Sequence, residues 1–194
     1  MKKWFTSDWH LGDGRIGIDG KPNLFYRSFR SIHEQNQTII VNFRDSDFKD
    51  GDELWHLGDV IYDLSDEFYF ESLRQSYPKS KFNLIVGNYD EDKLDILGKY
   101  FDNIFDSTVI HIGETIKGVF LNHYPIKCKS ELWDNDRQRF DFAITGHIHG
   151  LWKVQKNMIN VGVDAWHFKP VSEDEILFCW NAMQKFYDEN VFPY

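Results

Sequence analysis

Hydrophobic residues fall along this chain in short blocks, and most of the blocks stop abruptly at an acidic, amide or imidazole side chain. Trp4-Phe5-Thr6 is the first, running directly into Ser7-Asp8-Trp9-His10. Glu53-Leu54-Trp55-His56-Leu57 follows the turn Gly51-Asp52 and ends at Gly58-Asp59, and residues 82–86 end at Gly87-Asn88-Tyr89-Asp90. Short apolar runs bounded by turn residues predict buried strands. The same reading gives strands over 107–112 and over 116–122, the second closing at His123. Residues 142–144 form another, entering Gly146-His147-Ile148-His149-Gly150, and two more fall at 151–154 and 158–163. If the His147-Ile148-His149 stretch stays extended, both imidazoles lie on one face, because residues i and i+2 share a side of a strand.

Between these blocks the spacing turns helical. Ser31 and Glu34 have the spacing of a capping box, and Ile32, Thr38-Ile39-Ile40 and Phe43 follow at amphipathic intervals. Residues 64–77 read as a helix stopped by Pro78. Leu94, Ile96 and Leu97 suggest a further short one, residues 130–139 a polar helical insert, and Ser172 with Glu175 a second capping box before a helix through Met183. Residues 12–30 form a long glycine-rich loop carrying Arg15, Arg27 and Arg30; loops of that length in a compact domain are usually functional or disordered. Strands interleaved with helices predict an α/β (α+β) fold, and with no repeat, low-complexity tract or linker the expectation is one domain over residues 1–194.

Composition narrows the function classes. The 194 residues include 17% aromatics, enough bulk for a substantial core. A net charge of −9 argues against sequence-independent nucleic-acid binding, which needs cations to neutralise phosphates. It leaves room for a local positive site built on bound metal. The two cysteines, Cys128 and Cys179, form no C-x-x-C pair, which fits a reducing compartment. The lysines at the start meet Asp8 before an apolar run develops, unlike a secretory leader, and no stretch has membrane-spanning length. The expected setting is cytoplasmic.

The strand ends together deliver Asp8, His10, Asp59, Asn88, His123, His147 and His149. Singly, Asp8, Asp59 and Asn88 read more readily as strand-end turn residues. Together they are a nitrogen and oxygen donor set suited to two divalent ions of the Mn, Fe, Ni or Zn kind. In this order the blocks resemble the calcineurin-like metallophosphoesterases: Asp8-Trp9-His10, Gly58-Asp59, Gly87-Asn88-Tyr89-Asp90, a lone His123, then Gly146-His147-Ile148-His149, spread over about residues 1–165.

The resemblance implies a four-layer αββα sandwich, two face-to-face sheets flanked by helices. It implies two divalent ions, Mn first among the candidates, with Asp8, His10 and His149 on one, Asn88, His123 and His147 on the other, and Asp59 bridging. It also implies phosphate-ester hydrolysis by a metal-bridged hydroxide. Asp59, Asn88 and Tyr89 take the catalytic positions. Many members carry histidine where Tyr89 stands; tyrosine is the poorer acid near neutrality. Phosphodiesters, or monoesters with good leaving groups, are therefore the expected small-molecule substrates. The competing expectation is a scaffold of the same fold that binds a protein partner and catalyses little.

Arg15, Arg27 and Arg30 are candidate phosphate grips, since a guanidinium fork suits oxygen geometry, although a solvated loop accounts for them equally. His167 or His33 could replace the missing acid at Tyr89. His56 lies three residues before Asp59, so it faces the other side of its strand, as a hydrogen-bonded core residue. His33 and His111 read as surface residues, and Asp90 as shaping the turn after Asn88.

Overall fold

The computed structural model describes residues 1–15, 27–126, 139–155 and 157–186. Two five-stranded sheets face each other and are flanked by helices. In the first, β1 (Lys3–Thr6), β2 (Glu53–His56), β3 (Lys81–Ile85) and β4 (Asn103–Phe105) run parallel. The short β10 (Val171–Ser172) closes the edge antiparallel to β1. The second contains β5 (Ser107–Ile110), β6 (Val119–Asn122), β7 (Phe142–Thr145), β8 (Val154–Gln155) and β9 (Met158–Asn160), in the order β5-β6-β7-β9-β8. There β6, β7 and β9 are mutually parallel. Two strands escape the sequence pattern: β4 and β10 have three and two residues, too few for alternation to show, and exist because a neighbouring strand offers a free edge.

The four described α-helices are α1 (Ile32–Arg44), α2 (Glu67–Ser76), α3 (Leu94–Leu97) and α4 (Glu173–Phe186). Ser31 caps α1, its side chain accepting the Glu34 N–H at 3.1 Å. The return bond of a capping box is missing there, because Glu34 accepts from the Arg30 N–H at 2.6 Å. At α4 the box is reciprocal: Glu175 accepts the Ser172 N–H at 2.8 Å, and Ser172 Oγ accepts the Glu175 N–H at 3.3 Å. A 3₁₀ turn, Leu64–Asp66, leads into α2, which ends before Tyr77 and Pro78. The expected helical insert at 130–139 falls almost wholly outside the described residues.

Period-two alternation sorts the first sheet into two cores. Trp4, Leu54, Phe82 and Leu84 face α1 and α2, meeting Ile39, Phe43, Phe70 and Leu73. Phe5, Trp55, Leu57 and Ile85 point the other way, into the layer shared with Val119, Leu121, Phe142, Ile144 and Ile159 of the second sheet. Ile176, Trp180 and Met183 of α4 join that shared layer, Trp180 stacking on Phe142 at 4.7 Å. No helix among the described residues is long and apolar enough to cross a membrane.

At one end of this sandwich the carboxyl ends of the parallel strands meet. A bridge pairs Ser7 with Gly162, and the Val163 N–H donates to Ser7 O at 3.1 Å, locking the end of β1 to the segment after β9. His56 faces the helix layer as expected, wholly buried between the rings of Trp9 (4.9 Å) and Phe101 (6.2 Å). The expected hydrogen bond is absent: neither ring nitrogen has a partner among the described residues. Burial pulls its pKa down to about 3.

That burial gives a pH prediction. The folded pKa lies below the unfolded value, so the unfolded chain binds the extra proton and stability falls as pH drops from about 6.5 toward 3. One such proton steepens the loss by at most about 1.4 kcal/mol per pH unit. Denaturant titrations between pH 7 and 4.5 should show a shallower acid loss for His56→Leu than for wild type; parallel pH slopes would remove His56 as a cause.

Candidate metal centre

Two groups of side chains that could each hold a metal ion lie side by side at this end. One is Asp8, His10 and His149; the other is Asp59, His123 and His147; within each, the ligand atoms lie within 4.8 Å of one another. Asn88 joins the second group, its Oδ1 standing 3.3 Å from His123 Nε2. Asp59 stands between the two: its Oδ2 is 3.4 Å from His10 Nε2 and 3.5 Å from His123 Nε2.

The backbone that presents these groups is unusual. Asp8, His10, Asp59, His147 and His149 all have positive φ, between 48° and 71°. That left-handed region costs a non-glycine residue on the order of 1 kcal/mol or more, so five instances at one site mark a place where surrounding structure dictates conformation. It also corrects the expectation that His147 and His149 share a face. β7 ends at Thr145 and the i, i+2 rule ends with it. His149 stacks on His10 at 5.1 Å, while His147 meets His123 edge-on at 5.1 Å, so the dipeptide spacing serves both groups.

Close approach explains two of the motif glycines. A Cβ on Gly146 would sit 2.0 Å from Ser7 Oγ, and one on Gly87 would sit 2.3 Å from Asp59 Oδ1. Gly150 is different: its nearest contact would be an ordinary 3.7 Å.

Partners outside the seven residues aim them. His149 Nδ1 is 2.8 Å from Asp164 Oδ2, and His123 Nδ1 donates to Leu57 O at 2.6 Å. His10 Nδ1 lies 3.7 Å from Asp13 Oδ2. The first two contacts are hydrogen bonds at Nδ1, and the third, at 3.7 Å, is electrostatic only. Nε2 of His10 and of His123 faces Asp59 Oδ2 at 3.4 and 3.5 Å, the usual pattern behind metal-binding histidines. Asp90 shapes the turn after Asn88 and does more. Its carboxylate accepts the N–H groups of Asp59 (2.8 Å), Val60 (3.0 Å) and Gly87 (2.9 Å), tying the loops after β2 and β3 together. Asp8 accepts the His147 N–H at 3.0 Å on both oxygens, and Asp59 Oδ1 takes the Tyr89 N–H at 3.0 Å.

The electrostatics suit a cation. Burial raises the Asp8 carboxyl above its usual range against the pull of His123 and His149. Burial acts the same way on Asp59, but the hydrogen bond and charge of His123, helped by His10, outweigh it and hold it at about 2. Burial disfavours the His123 imidazolium, yet Asp59 and Asp8 outweigh that and push it up to about 9. His10 is driven down to about 3, chiefly by burial. Two buried carboxylates therefore draw positive charge onto His123, a role divalent ions can take over.

The remaining sequence candidates separate. Arg15 sits at the rim, paired with Asp13 at 2.7 Å and donating to the Tyr89 hydroxyl at 3.0 Å. Arg27 is not presented to phosphate: its side chain is buried, grips Asp164 at 2.6 and 2.7 Å, and donates to the carbonyls of Asp8 and Trp9 and to Gln35. A buried guanidinium needs such pairing, and its work here is to brace Asp164 behind His149. Arg30 lies at the solvent-facing start of α1, paired with Glu34 at 2.8 Å. His167 is exposed beyond the 3₁₀ turn Val163–Trp166, its carbonyl accepting from Asn42, and His33 bonds the Tyr69 hydroxyl at 2.5 Å. The described contacts bring neither imidazole to Tyr89. Sequence reading missed Asp13 and Asp164, for which no motif gave a signal.

The glycine contacts give a paired test. Gly146→Ala should destabilise by about 1–3 kcal/mol, because Ser7 Oγ is held by Leu57 O and cannot simply turn away. Gly150→Ala should stay within about 0.5 kcal/mol. Equal denaturation midpoints for the two variants would contradict the packing described.

No protein-family model and no curated protein matches this chain. Among solved structures it is similar to a protein of unknown function from Aquifex aeolicus, 25% identical with a TM-score of 0.66 over 91% of this chain and 98% of that one. The nuclease MPE of Pseudomonas putida aligns at 16% identity and a TM-score of 0.46, over 76% of this chain and 60% of that one, too distant to bear on activity. The Aquifex aeolicus likeness spans nearly the whole of both chains and supports the fold described above.

Proposed function

We propose that this protein is a single-domain, binuclear-metal phosphoesterase of the calcineurin-like kind, acting on phosphodiesters ahead of unactivated monoesters. One observation carries the reading: Asp59 Oδ2 stands between the two ligand groups, 3.4 Å from His10 Nε2 and 3.5 Å from His123 Nε2. Asp8, His10 and His149 would hold one ion and Asn88, His123 and His147 the other, with Asp59 shared. Two divalent ions, when bound, supply Lewis acidity toward phosphoryl oxygens and a nucleophilic water at neutral pH. The nitrogen and oxygen donors suit Mn first, with Fe, Ni and Zn as alternatives. A content of two cysteines in 194 residues, too few for a disulfide framework, is in keeping with a reducing, cytoplasmic setting.

The chain's own contribution at the leaving group centres on Tyr89. Its ring packs edge-on against His10 at 5.0 Å, and its hydroxyl accepts from Arg15, which leaves the O–H proton to donate elsewhere. A phenol is a weaker proton source near neutrality than an imidazolium. Esters whose leaving oxygen needs little protonation are therefore favoured, which is the basis for placing diesters and activated esters first.

The test is hydrolysis of an aryl phosphodiester beside the matching aryl monoester, with Mn²⁺ restored. Wild type should prefer the diester, and Asp59→Asn should reduce its turnover by about two orders of magnitude or more. His123→Ala should bind one ion in place of two, and Asp164→Asn should weaken one of the two sites by about 10–100-fold through loss of the His149 brace. Full turnover by Asp59→Asn with two ions bound would overturn the assignment. Two bound ions with no turnover of either ester would favour the scaffold.

A further inference from the structure

Beside the candidate centre lies an open cleft of about 630 Å³ whose lining includes Asn88 and Tyr89, residues of the loop that serves the second ligand group. Its aromatic wall is Tyr62 and Tyr89, with ring centroids 5.6 Å apart and planes inclined by 49°. Tyr62 keeps 37% of its surface exposed. Arg15 steadies the pair, its guanidinium carbon 4.6 Å from the Tyr62 centroid and 5.0 Å from that of Tyr89. The cleft also contains Asp63, Glu91, Asp92 and Lys93. Lys93 is committed, its ammonium donating to Asp92 at 2.6 Å and to the Tyr89 carbonyl at 2.8 Å. The charged lining is therefore negative, three carboxylates against one ammonium.

We propose that this cleft receives one organic arm of the phosphodiester, and that it selects an uncharged aromatic arm. The inference rests on the phosphoesterase reading and adds the substrate class to it. Asn88 belongs both to the second ligand group and to the cleft lining, so a phosphate held there would have the cleft within reach of one of its ester arms. A flat ring would have there a wall of two tyrosine rings, packed on each other at 5.6 Å, to lie against. An arm carrying a carboxylate or a second phosphate meets like charge there, and the two cations described beside the cleft, Lys93 and Arg15, are already paired with Asp92 and Asp13. The selected substrates are thus diesters of neutral aromatic alcohols, and arms ending in phosphate are turned away.

Phosphinates, which have no ester bond to cleave, separate this from the chemistry. Calorimetric titration of the Mn²⁺-loaded protein should show dibenzylphosphinate binding at least about 10-fold more tightly than dimethylphosphinate. Tyr62→Ala, with Tyr62→Leu as a second variant, should bring the ratio below about 3 while leaving dimethylphosphinate binding unchanged, and Tyr62→Phe should keep it. Bis(4-carboxybenzyl)phosphinate should bind weakly to wild type and regain affinity in the Glu91→Gln, Asp92→Asn double variant. Equal affinities of the benzyl and methyl compounds for wild type, or a benzyl preference that survives Tyr62→Ala, would overturn the cleft's role while leaving the centre standing. A Tyr62-dependent preference in a protein that hydrolyses no ester would keep the cleft and remove the phosphoesterase. Binding of neither phosphinate would overturn both.

Discussion

Two carboxylates, Asp8 and Asp59, are buried among four histidines where two sheets meet, and the architecture around them answers that electrostatic problem. Charge removed from water must be countered by hydrogen bonds, opposite charge or metal. The chain uses the first two visibly: the His147 N–H on Asp8, the Tyr89 N–H on Asp59, and the imidazoles placed between them. The left-handed turns lie at the same place, five of the seven candidate ligands having positive φ. Parallel strands supply the framework, since β1, β2 and β3 end on one side and β6, β7 and β9 deliver their loops to meet them.

Behind the ligand atoms is a set of supports with no part in holding a cation. Asp90 fastens two loops through three backbone N–H groups, and Arg27 fastens Asp164, Asp8 and Trp9 together. Burial still pushes the Asp90 carboxyl up to about 6, which its three donors only partly oppose. These supports and the tight contacts of Gly87 and Gly146 leave little freedom to the loops they hold. The exposed members, His147 and Asn88, are the ones that open toward solvent.

Much of this was legible in the sequence because the candidate ligand residues directly follow the apolar blocks that become strands. Asp8 after β1, Asp59 after β2, Asn88 after β3 and His123 after β6 could be read one block at a time. What could not be read was anything decided by distant partners. Arg27 looks like a loop cation until Asp164, 137 positions away, is seen to bury it. Asp13 and Asp164 carry no motif, since their meaning lies in the imidazole each one touches. The turn at His147 and His149 broke the strand rule because the spacing alone does not show where β7 stops. β4 and β10 were invisible because two or three residues carry no period.

The pairing of Arg27 with Asp164 also bears on how much of the chain one candidate group depends on. The group containing Asp8 and His10 needs His149, and His149 is aimed by Asp164, so a centre that opens in the first ten residues is finished only by the segment after β9. β10 lies against β1 in the same way, joining the far ends of the described chain. Contacts of such long range carry a loop-closure cost in entropy that the packing around them must offset. The candidate group of Asp8, His10 and His149 is thus assembled across nearly the whole described chain, and only the complete sandwich brings its ligand atoms within 4.8 Å of one another.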